Sequence, residues 1–202
     1  MCSRYEIDAS PRDLAQRFAL DDPPPVPPAP ELRPTDRALV IAGARRAHLL
    51  VWGLPAPWNG KPLINARAET LARKKTFRPL LGNRCLVPAT AYFEWRSEGR
   101  HKLKMRIAPA DGGLMAFAGL TDGDHFTIIT CAPAPTIAHI HNRMPVILDA
   151  GAEEPWLDAG LPFTAVGGLL VPYAGDRWRP ARNPCPRASR TFSAPAPRSW
   201  IH

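Results

Sequence analysis

The sequence predicts an α+β domain that is mainly antiparallel β, built as a curved sheet or open barrel with a few short helices. Short apolar runs follow one another closely along the chain, which is typical of strands joined by tight turns. Proline supplies 25 of the 202 residues, over twice its average share of about 5%, which excludes long uninterrupted helices. Hydrophobic residues make up 45% of the chain, enough to bury one core.

The first quarter of the chain predicts a helix, a connector and a hairpin. Residues 10–20 form the helix, because Ser10 can cap it and the following proline suits its first turn. Residues 23–30 contain six prolines, which favours an extended surface connector. The apolar runs 38–42 and 48–52 flank a GARR turn and predict a β-hairpin.

The rest of the chain predicts one more helix over residues 65–75 and then mostly strands. Short helices are expected at residues 136–140 and 153–157. From about residue 172 the sequence is rich in Pro, Arg and Ser without periodicity, so a loosely packed basic tail completes a single domain of residues 1–202. The further strands are expected at residues 84–88, 92–95, 103–108, 114–120 and 126–131.

Charge and cysteine content narrow the function classes. The chain has 26 Lys and Arg against 18 Asp and Glu, a net charge of +8, which favours an anionic partner such as nucleic acid. Its four cysteines form no CxxC pair, so neither a structural zinc site nor a disulfide framework is indicated. No apolar stretch reaches the roughly 18 residues that span a bilayer, and no signal segment is visible, so we expect a soluble cytoplasmic protein.

Cys2 carries the first candidate chemistry. If Met1 is removed, Cys2 presents a thiol and a free α-amine on adjacent carbons, and both groups are nucleophiles. Such a group condenses with an aldehyde through a Schiff base and closes to a five-membered thiazolidine. The same group could instead hydrolyse amides as an N-terminal nucleophile, and a cysteine without a function at this position is the third interpretation.

Polar residues in three other segments suit acid–base chemistry or phosphate binding. Asn65 and Arg67 can bind a phosphate or a sugar, or they mark an ordinary helix start. Glu94 lies between two aromatic residues, where desolvation would raise its pKa, unless its side chain points to solvent. In residues 139–145 a histidine could transfer protons and Arg143 could hold a phosphate, or the segment is a polar loop.

Taken together and in this order, these segments resemble the family of SOS-response-associated peptidase (SRAP) domains, which process abasic sites in single-stranded DNA. The resemblance covers most of residues 1 to about 150. It implies the SRAP fold, a role in DNA repair, single-stranded DNA with abasic sites as partner, no metal and no organic cofactor. The matching stretches are MCSRY, VWGLPAPW, LINARAET, FRPLLGNRCLVPATAYFEW and HNRMPVIL.

The resemblance also implies catalytic roles. Cys2, exposed by loss of the initiator methionine, would attack the ring-opened aldehyde of an abasic deoxyribose and end as a stable thiazolidine crosslink. Asn65 would position the Cys2 end and the sugar, Glu94 would move protons at the amine and Schiff base, and His141 would assist ring opening. His141 is preferred to His139 because it begins the HNRMP motif. Self-cleaving peptidase or crosslink-reversal activity at the same centre is a further implication.

For DNA binding, the resemblance implies that Arg4 and Arg67 hold the phosphates that flank the lesion. The resemblance implies neither a metal nor a membrane as partner. We expect a monomer that is associated with the nucleoid when it is bound to DNA. The residues expected to shape the DNA path or stack on the DNA are Trp52, Phe93, Met144 and Pro145.

Two departures from the family pattern keep other functions open. Ser3 stands where the family usually has glycine, and residues 31–36, ELRPTD, replace a YN-x-AP-T segment, so the expected Tyr and Asn are missing. A single-strand-binding module that has lost its chemistry is therefore one alternative. An N-terminal-cysteine amidohydrolase acting on small molecules or peptides is another.

Overall fold

The structure is a computed structural model that describes residues 2–22, 26, 28–56, 58, 60–173 and 178–182. Within these residues the chain forms thirteen strands, three short α-helices and three 3₁₀ turns. The helices are α1 (Pro11–Phe18), α2 (Ala150–Leu157) and α3 (Phe163–Val166), and the 3₁₀ turns are Ala68–Thr70, Arg78–Leu80 and Gly167–Leu169. The strands are β1 (Arg4–Ile7), β2 (Ala29–Leu32), β3 (Arg37–Ala42), β4 (Arg46–Trp52), β5 (Asn65–Arg67), β6 (Arg84–Ala89), β7 (Ala91–Glu98), β8 (His101–Pro109), β9 (Met115–Thr121), β10 (His125–Cys131), β11 (Met144–Pro145), β12 (Ile147–Leu148) and β13 (Trp178–Arg182).

Five of the strands close into a barrel. Around the ring the order is β10, β4, β3, β6 and β9, and β9 pairs again with β10. Every neighbouring pair is antiparallel except β4 with β10. Short strands extend the barrel, because β5 and β11 pair with β10 and β12 pairs with β9. The predicted mainly antiparallel α+β fold is confirmed, and its barrel is closed rather than open.

A second sheet, with strand order β13, β8, β7, β1 and β2, packs against this barrel. Tyr5 of β1 and Tyr92 of β7 are direct cross-strand partners. Both rings meet Phe117 of barrel strand β9 edge-on, with centroids 6.0 and 6.1 Å apart, and Tyr5 also contacts Trp52. Because large aromatic rings dominate the apolar area buried at such contacts, these side chains hold the start of the chain against the barrel.

Secondary-structure elements that are formed by residues close together in sequence match the predictions. The Ser10 side chain accepts a hydrogen bond from the backbone N–H of Asp13, and α1 begins with proline as expected. The hairpin of β3 and β4 is present, and its turn places Ala44 and Arg45 at φ of 43° and 54°. The five later strands and the helix predicted at residues 153–157 are also confirmed.

Two predicted helices are wrong. Residues 65–75 begin as β5 and continue as a 3₁₀ turn and hydrogen-bonded turns. The strand forms because Asn65 to Arg67 pair in parallel with Ile128 to Thr130 of β10, a contact between distant segments that overrides local helix preference. Residues 136–140 form turns instead of a helix.

The proline connector and the basic tail also differ from expectation. Residues 23–25 and 27 lie outside the described residues, but Pro30 belongs to β2, the outermost strand of its sheet, where a missing N–H is tolerated. Trp178–Arg182 form β13, which pairs along β8 and is therefore part of the second sheet. Residues 183–202, with Cys185 among them, lie outside the described residues.

Candidate active site

Cys2 lies immediately before β1, and its backbone is fixed by Asn65. The Asn65 Nδ2 donates a hydrogen bond of 2.7 Å to the Cys2 carbonyl oxygen. Asn65 is itself held by the pairing of β5 with Ile128 of β10. The Cys2 side chain is fully buried, and its Sγ lies 3.5 Å from the Arg4 carbonyl oxygen. The structure thus brings together the predicted nucleophile and the asparagine predicted to position it.

Glu94 and His141 form the second part of the cluster. Glu94 is 2% exposed, on the face of β7 opposite to its neighbour Phe93. Its Oε1 lies 3.7 Å from Nδ1 of His141. Burial raises the pKa of Glu94 to about 7, against the opposing effect of the positive charge at the chain's amino terminus. A carboxyl group with this pKa can both accept and donate a proton near neutral pH.

His141 contacts the backbone of Arg143 through Nδ1. The Arg143 N–H lies 3.1 Å and the Arg143 carbonyl oxygen 3.3 Å from Nδ1, and the shorter contact favours Nδ1 as the acceptor, with the proton of the neutral ring on Nε2. Burial lowers the pKa of His141, and the positive charge of the amino terminus lowers it further. His141 is therefore a neutral hydrogen-bond donor at pH 7, with Nε2–H as the donor. His139, the rejected alternative, is exposed on the turn before it.

The Cys2 thiol is protonated in this environment. Burial raises the pKa of its thiol, and the negative charge of Glu94 raises it further. Because the thiolate is the stronger nucleophile, the thiol needs a nearby base when it reacts. Of the two charges that act on the thiol, that of Glu94 raises its pKa and that of the amino terminus lowers it.

Other buried polar atoms surround this cluster. Within the described residues, Asn65 Oδ1 and the hydroxyl groups of Tyr5 and Tyr92 are buried without a hydrogen-bond partner. Burial raises the pKa of both tyrosine hydroxyls, and the charge of a Cys2 thiolate would raise it further. Neither Tyr5 nor Tyr92 was singled out as a site residue from the sequence. Each buried hydroxyl group is a hydrogen-bond donor without a partner in the part of the chain that the structure describes.

The predicted phosphate ligands differ in their availability. Arg67 is exposed at the end of β5, two residues beyond Asn65. The Arg4 side chain is 28% exposed, and its Nε is paired with Glu31 at 3.2 Å. Glu31 was noticed in the sequence only as a departure from the family pattern, and its ion pair with Arg4 has no signal there.

The prediction that Arg143 holds a phosphate does not fit the contacts of its side chain. Its guanidinium group forms two hydrogen bonds to the Glu69 carboxylate, at 2.6 and 3.0 Å, and another of 2.5 Å to the Thr130 carbonyl oxygen. Both terminal amino groups are used in this way, and Nε is buried without a partner among the described residues, so Arg143 holds the loop of His141 against β10 and presents no free fork to a phosphate.

The aromatic predictions are corrected in part. Trp52 and Met144 are 0% exposed and belong to the core, which contradicts stacking of either side chain on DNA. Phe93 is 2% exposed beneath the Lys104 ammonium group, on the face of β7 opposite to Glu94, and Pro145 is buried in β11. Trp58, the second indole of the WGLPAPW motif, is 66% exposed and is the ring available for stacking.

Neither a metal-binding cluster nor a membrane-spanning helix occurs among the described residues. No group of three or more His, Cys, Asp or Glu side chains there is arranged to hold a metal ion. Among those same residues, no helix has both the length and the apolar character to cross a membrane.

Comparison with known proteins agrees with this geometry. The abasic site processing protein YoqW of Bacillus subtilis is 36% identical over 199 residues, which cover 87% of this chain and 89% of YoqW. The abasic site processing protein YedK of Escherichia coli is 32% identical over 177 residues, covering 78% and 79%. A crystal structure of a Bordetella bronchiseptica protein superposes with a TM-score of 0.79 at 28% identity, over 90% of this chain and 99% of the other. The family model for SOS response associated peptidase (SRAP) matches residues 1–182, so the chain belongs to the SRAP family.

Proposed function

We propose that this protein processes abasic sites in single-stranded DNA by forming a covalent thiazolidine between Cys2 and the ring-opened sugar. The observation that carries the proposal is the cluster itself. A backbone-anchored Cys2 senses the charge of a buried Glu94, and Glu94 lies 3.7 Å from a neutral His141. This set contains a nucleophile, a base and a hydrogen-bond donor, which are the groups that aldehyde condensation requires.

The reaction begins with loss of Met1, which turns the Cys2 nitrogen from an amide into a free amine. His141 donates a hydrogen bond from Nε2–H to the ring oxygen of the deoxyribose. As the bond from C1′ to the ring oxygen breaks, the ring oxygen takes a proton from water and the C1′ hydroxyl group loses its proton to water, so the sugar opens to its aldehyde. The amine attacks the aldehyde carbon, and one N–H proton passes through Glu94 to the carbonyl oxygen to give a carbinolamine. The second N–H proton passes through Glu94 to the departing hydroxyl group, so a neutral Schiff base and one water molecule form.

The thiol completes the ring. Cys2 Sγ adds to the Schiff-base carbon, the double-bond electrons move to the nitrogen, and the thiol proton reaches that nitrogen through Glu94. The product is a thiazolidine, and the balance of the whole sequence is one aldehyde and one aminothiol giving one ring and one water. Because the thiol is protonated at neutral pH, this step needs Glu94 as its base, as the attack of the amine does.

The net charge and two exposed side chains support binding of a single DNA strand. A net charge of +8 favours binding to a phosphate backbone, with a strong salt dependence. Arg67 is exposed next to Asn65, and the exposed indole of Trp58 offers a platform on which a base can stack. An abasic site in a single strand has no partner base to unpair, so the sugar can enter without opening a duplex.

A denaturing gel tests the proposal directly. The purified protein is mixed with a single-stranded oligonucleotide that carries one abasic site, beside an undamaged oligonucleotide, and intact mass establishes whether Met1 is lost. We expect a slowly migrating band that survives denaturation without a reducing agent such as borohydride. Cys2→Ala keeps the amine but lacks the thiol, so its band should require borohydride to trap the Schiff base.

A second thiol supplies the matched control. Cys131 is also buried as a free thiol, and Cys131→Ala should crosslink like the wild type. If the wild type lacks Met1 and binds DNA without any crosslink, the protein is a single-strand-binding module and the proposed chemistry is wrong. If it instead hydrolyses peptides or small amides without DNA, the amidohydrolase interpretation replaces it.

A further inference from the structure

Glu31 lies at the centre of a cationic cluster on the second sheet. Its Oε1 is 3.2 Å from Arg4 Nε and 3.4 Å from Arg33 Nε. Its Oε2 accepts a hydrogen bond from Lys104 Nζ. One carboxylate thus faces three cations, and the cluster keeps an excess of two positive charges. Its side chain is 25% exposed, so the cluster is open to solvent and to ions.

The cluster is built on the face of the sheet that carries Arg4. Arg4 of β1 lies opposite Phe93 of β7, and Lys104 Nζ lies 4.2 Å above the Phe93 ring. Arg4 follows Cys2 by two residues, and an extended chain covers about 6.6 Å in that distance. A phosphate next to a sugar held at Cys2 therefore comes within reach of the Arg4 side chain.

We propose that Glu31 is an internal counter-anion that occupies the position of a DNA phosphate between Arg4 and Lys104 and must be displaced when the strand binds. A carboxylate and a phosphodiester both present anionic oxygens, so they compete for the same donors. While Glu31 pairs with Arg4 and Lys104, these cations neutralise fewer DNA phosphates, so binding releases fewer counterions from the DNA. Glu31 thereby lowers the affinity for single strands. This inference rests on the proposed function, because it takes single-stranded DNA as the ligand.

Glu31→Gln tests the inference, since it keeps the shape of the side chain and removes its charge. Binding to an undamaged, fluorescently labelled single strand is measured by anisotropy over a range of salt concentrations. We expect several-fold tighter binding at low salt and a salt dependence steeper by about 0.7 in log–log slope, the value for one added phosphate contact. The affinities of variant and wild type should converge at high salt, where screening removes the difference.

Glu154→Gln is the control for net charge. Glu154 lies on α2 with its side chain 76% exposed, and it pairs with Arg45 at 2.9 Å. The substitution changes the net charge by the same amount, so it should leave affinity and slope close to those of the wild type. Equal gains in Glu31→Gln and Glu154→Gln would overturn the inference, because the effect would then be general electrostatics.

A double-mutant cycle with Lys104 supplies the second measurement. Lys104→Gln should weaken binding more in the Glu31→Gln background than in the wild type, because Lys104 reaches the phosphate freely only when Glu31 is neutral. Additive effects would overturn the inference. Glu31→Ser, which removes the carboxylate by truncation, must reproduce the gain if the glutamine variant does not fold.

The two hypotheses fail in different assays. Binding to undamaged DNA decides the role of Glu31, and crosslinking to the abasic strand decides the chemistry of Cys2. A wild type that binds without crosslinking removes the proposed function, while the change in Glu31→Gln still decides the inference. If neither the wild type nor Glu31→Gln binds single strands, the counter-anion role is wrong.

Discussion

Glu94 in the active site and Glu153 in α2 are buried to nearly the same degree, 2% and 1% exposed, but their surroundings are opposite. Glu153 accepts two hydrogen bonds from the Arg17 guanidinium, at 2.5 and 3.1 Å, and Arg45 lies 4.0 Å away. Glu94 lies 3.7 Å from the ring of His141, and burial raises its pKa to about 7. Burial alone therefore does not make a carboxylate reactive. The Arg17 guanidinium holds Glu153 in a structural ion pair, and a neutral histidine leaves Glu94 able to exchange protons.

The largest expected effect is on the rate of crosslinking in Glu94→Gln. The amide cannot accept the amine or thiol proton, so the single-turnover rate should fall about 10²- to 10⁴-fold, the range for losing a general acid–base group. The free energy of unfolding should stay the same or rise, because no charge remains to be desolvated. Quantified gels and thermal melts measure the two quantities. A rate within threefold of the wild type would show that Glu94 is not the base.

Glu153→Gln should show the reverse pattern. Arg17 loses its counter-charge, while Arg45 keeps Glu154, so we expect the free energy of unfolding to fall by about 1.5–3 kcal/mol, the range for a hydrogen bond to a charged group. The crosslinking rate should not change, because Glu153 lies on α2 outside the cluster. Urea denaturation with the slope m monitored separates a stability change from a change in compactness. A matching loss of rate would mean that this ion pair supports the active site.

The pH dependence of the reaction should report Glu94 directly. If the ionised carboxylate is the base and its pKa is about 7, the rate should rise about tenfold between pH 6 and pH 8 and then level off. The residual rate of Glu94→Gln should lack this step. A wild-type rate that is flat over the same interval would contradict the assignment.

The titration of Glu94 should also make the free energy of unfolding depend on pH. An ordinary glutamate has a pKa of 4.5, and the folded state raises that of Glu94 to about 7. Below pH 4.5 the group is protonated in both states. Between pH 4.5 and 7 the unfolded chain ionises while the folded site keeps its proton, so the contribution to stability falls as pH rises. The melting temperature of Glu94→Gln relative to the wild type should therefore increase over this window.

The sequence predicts the active-site residues better than the structural ion pairs. The motifs and the family resemblance identify Cys2, Asn65, Glu94 and His141, and the structure brings these four together. No pattern in the sequence connects Arg17 with Glu153, because their pairing depends on how α1 and α2 pack against each other. The ion pairs of Glu31 with Arg4 and Lys104 are invisible for the same reason, since three strands contribute to them.

The fold shows the same division between local and distant interactions. The cap of α1 and the turn between β3 and β4 are formed by adjacent residues, and both were predicted. The helix expected at residues 65–75 was wrong because β10 pairs with β5. Strand β13 was missed because its sequence, WRPAR, shows no alternation of apolar and polar residues, and its pairing with β8 supplies the order.

The smallest effect is expected for Glu69, a third carboxylate, which is paired with an arginine like Glu153 but is partly exposed to water. It binds the Arg143 guanidinium twice, but its side chain is 50% exposed, so water screens the pair. Arg143 keeps its hydrogen bond to Thr130 when Glu69 is changed, and its backbone N–H still donates to His141. We therefore expect Glu69→Gln to lower the free energy of unfolding by only about 0.2–1 kcal/mol, less in high salt, and to change the crosslinking rate less than threefold. Urea denaturation at low and high salt, with rates measured on the same samples, checks both values. A loss of rate as large as that of Glu94→Gln would mean that the Glu69 contact sets the position of His141, and that partial exposure does not make this ion pair dispensable.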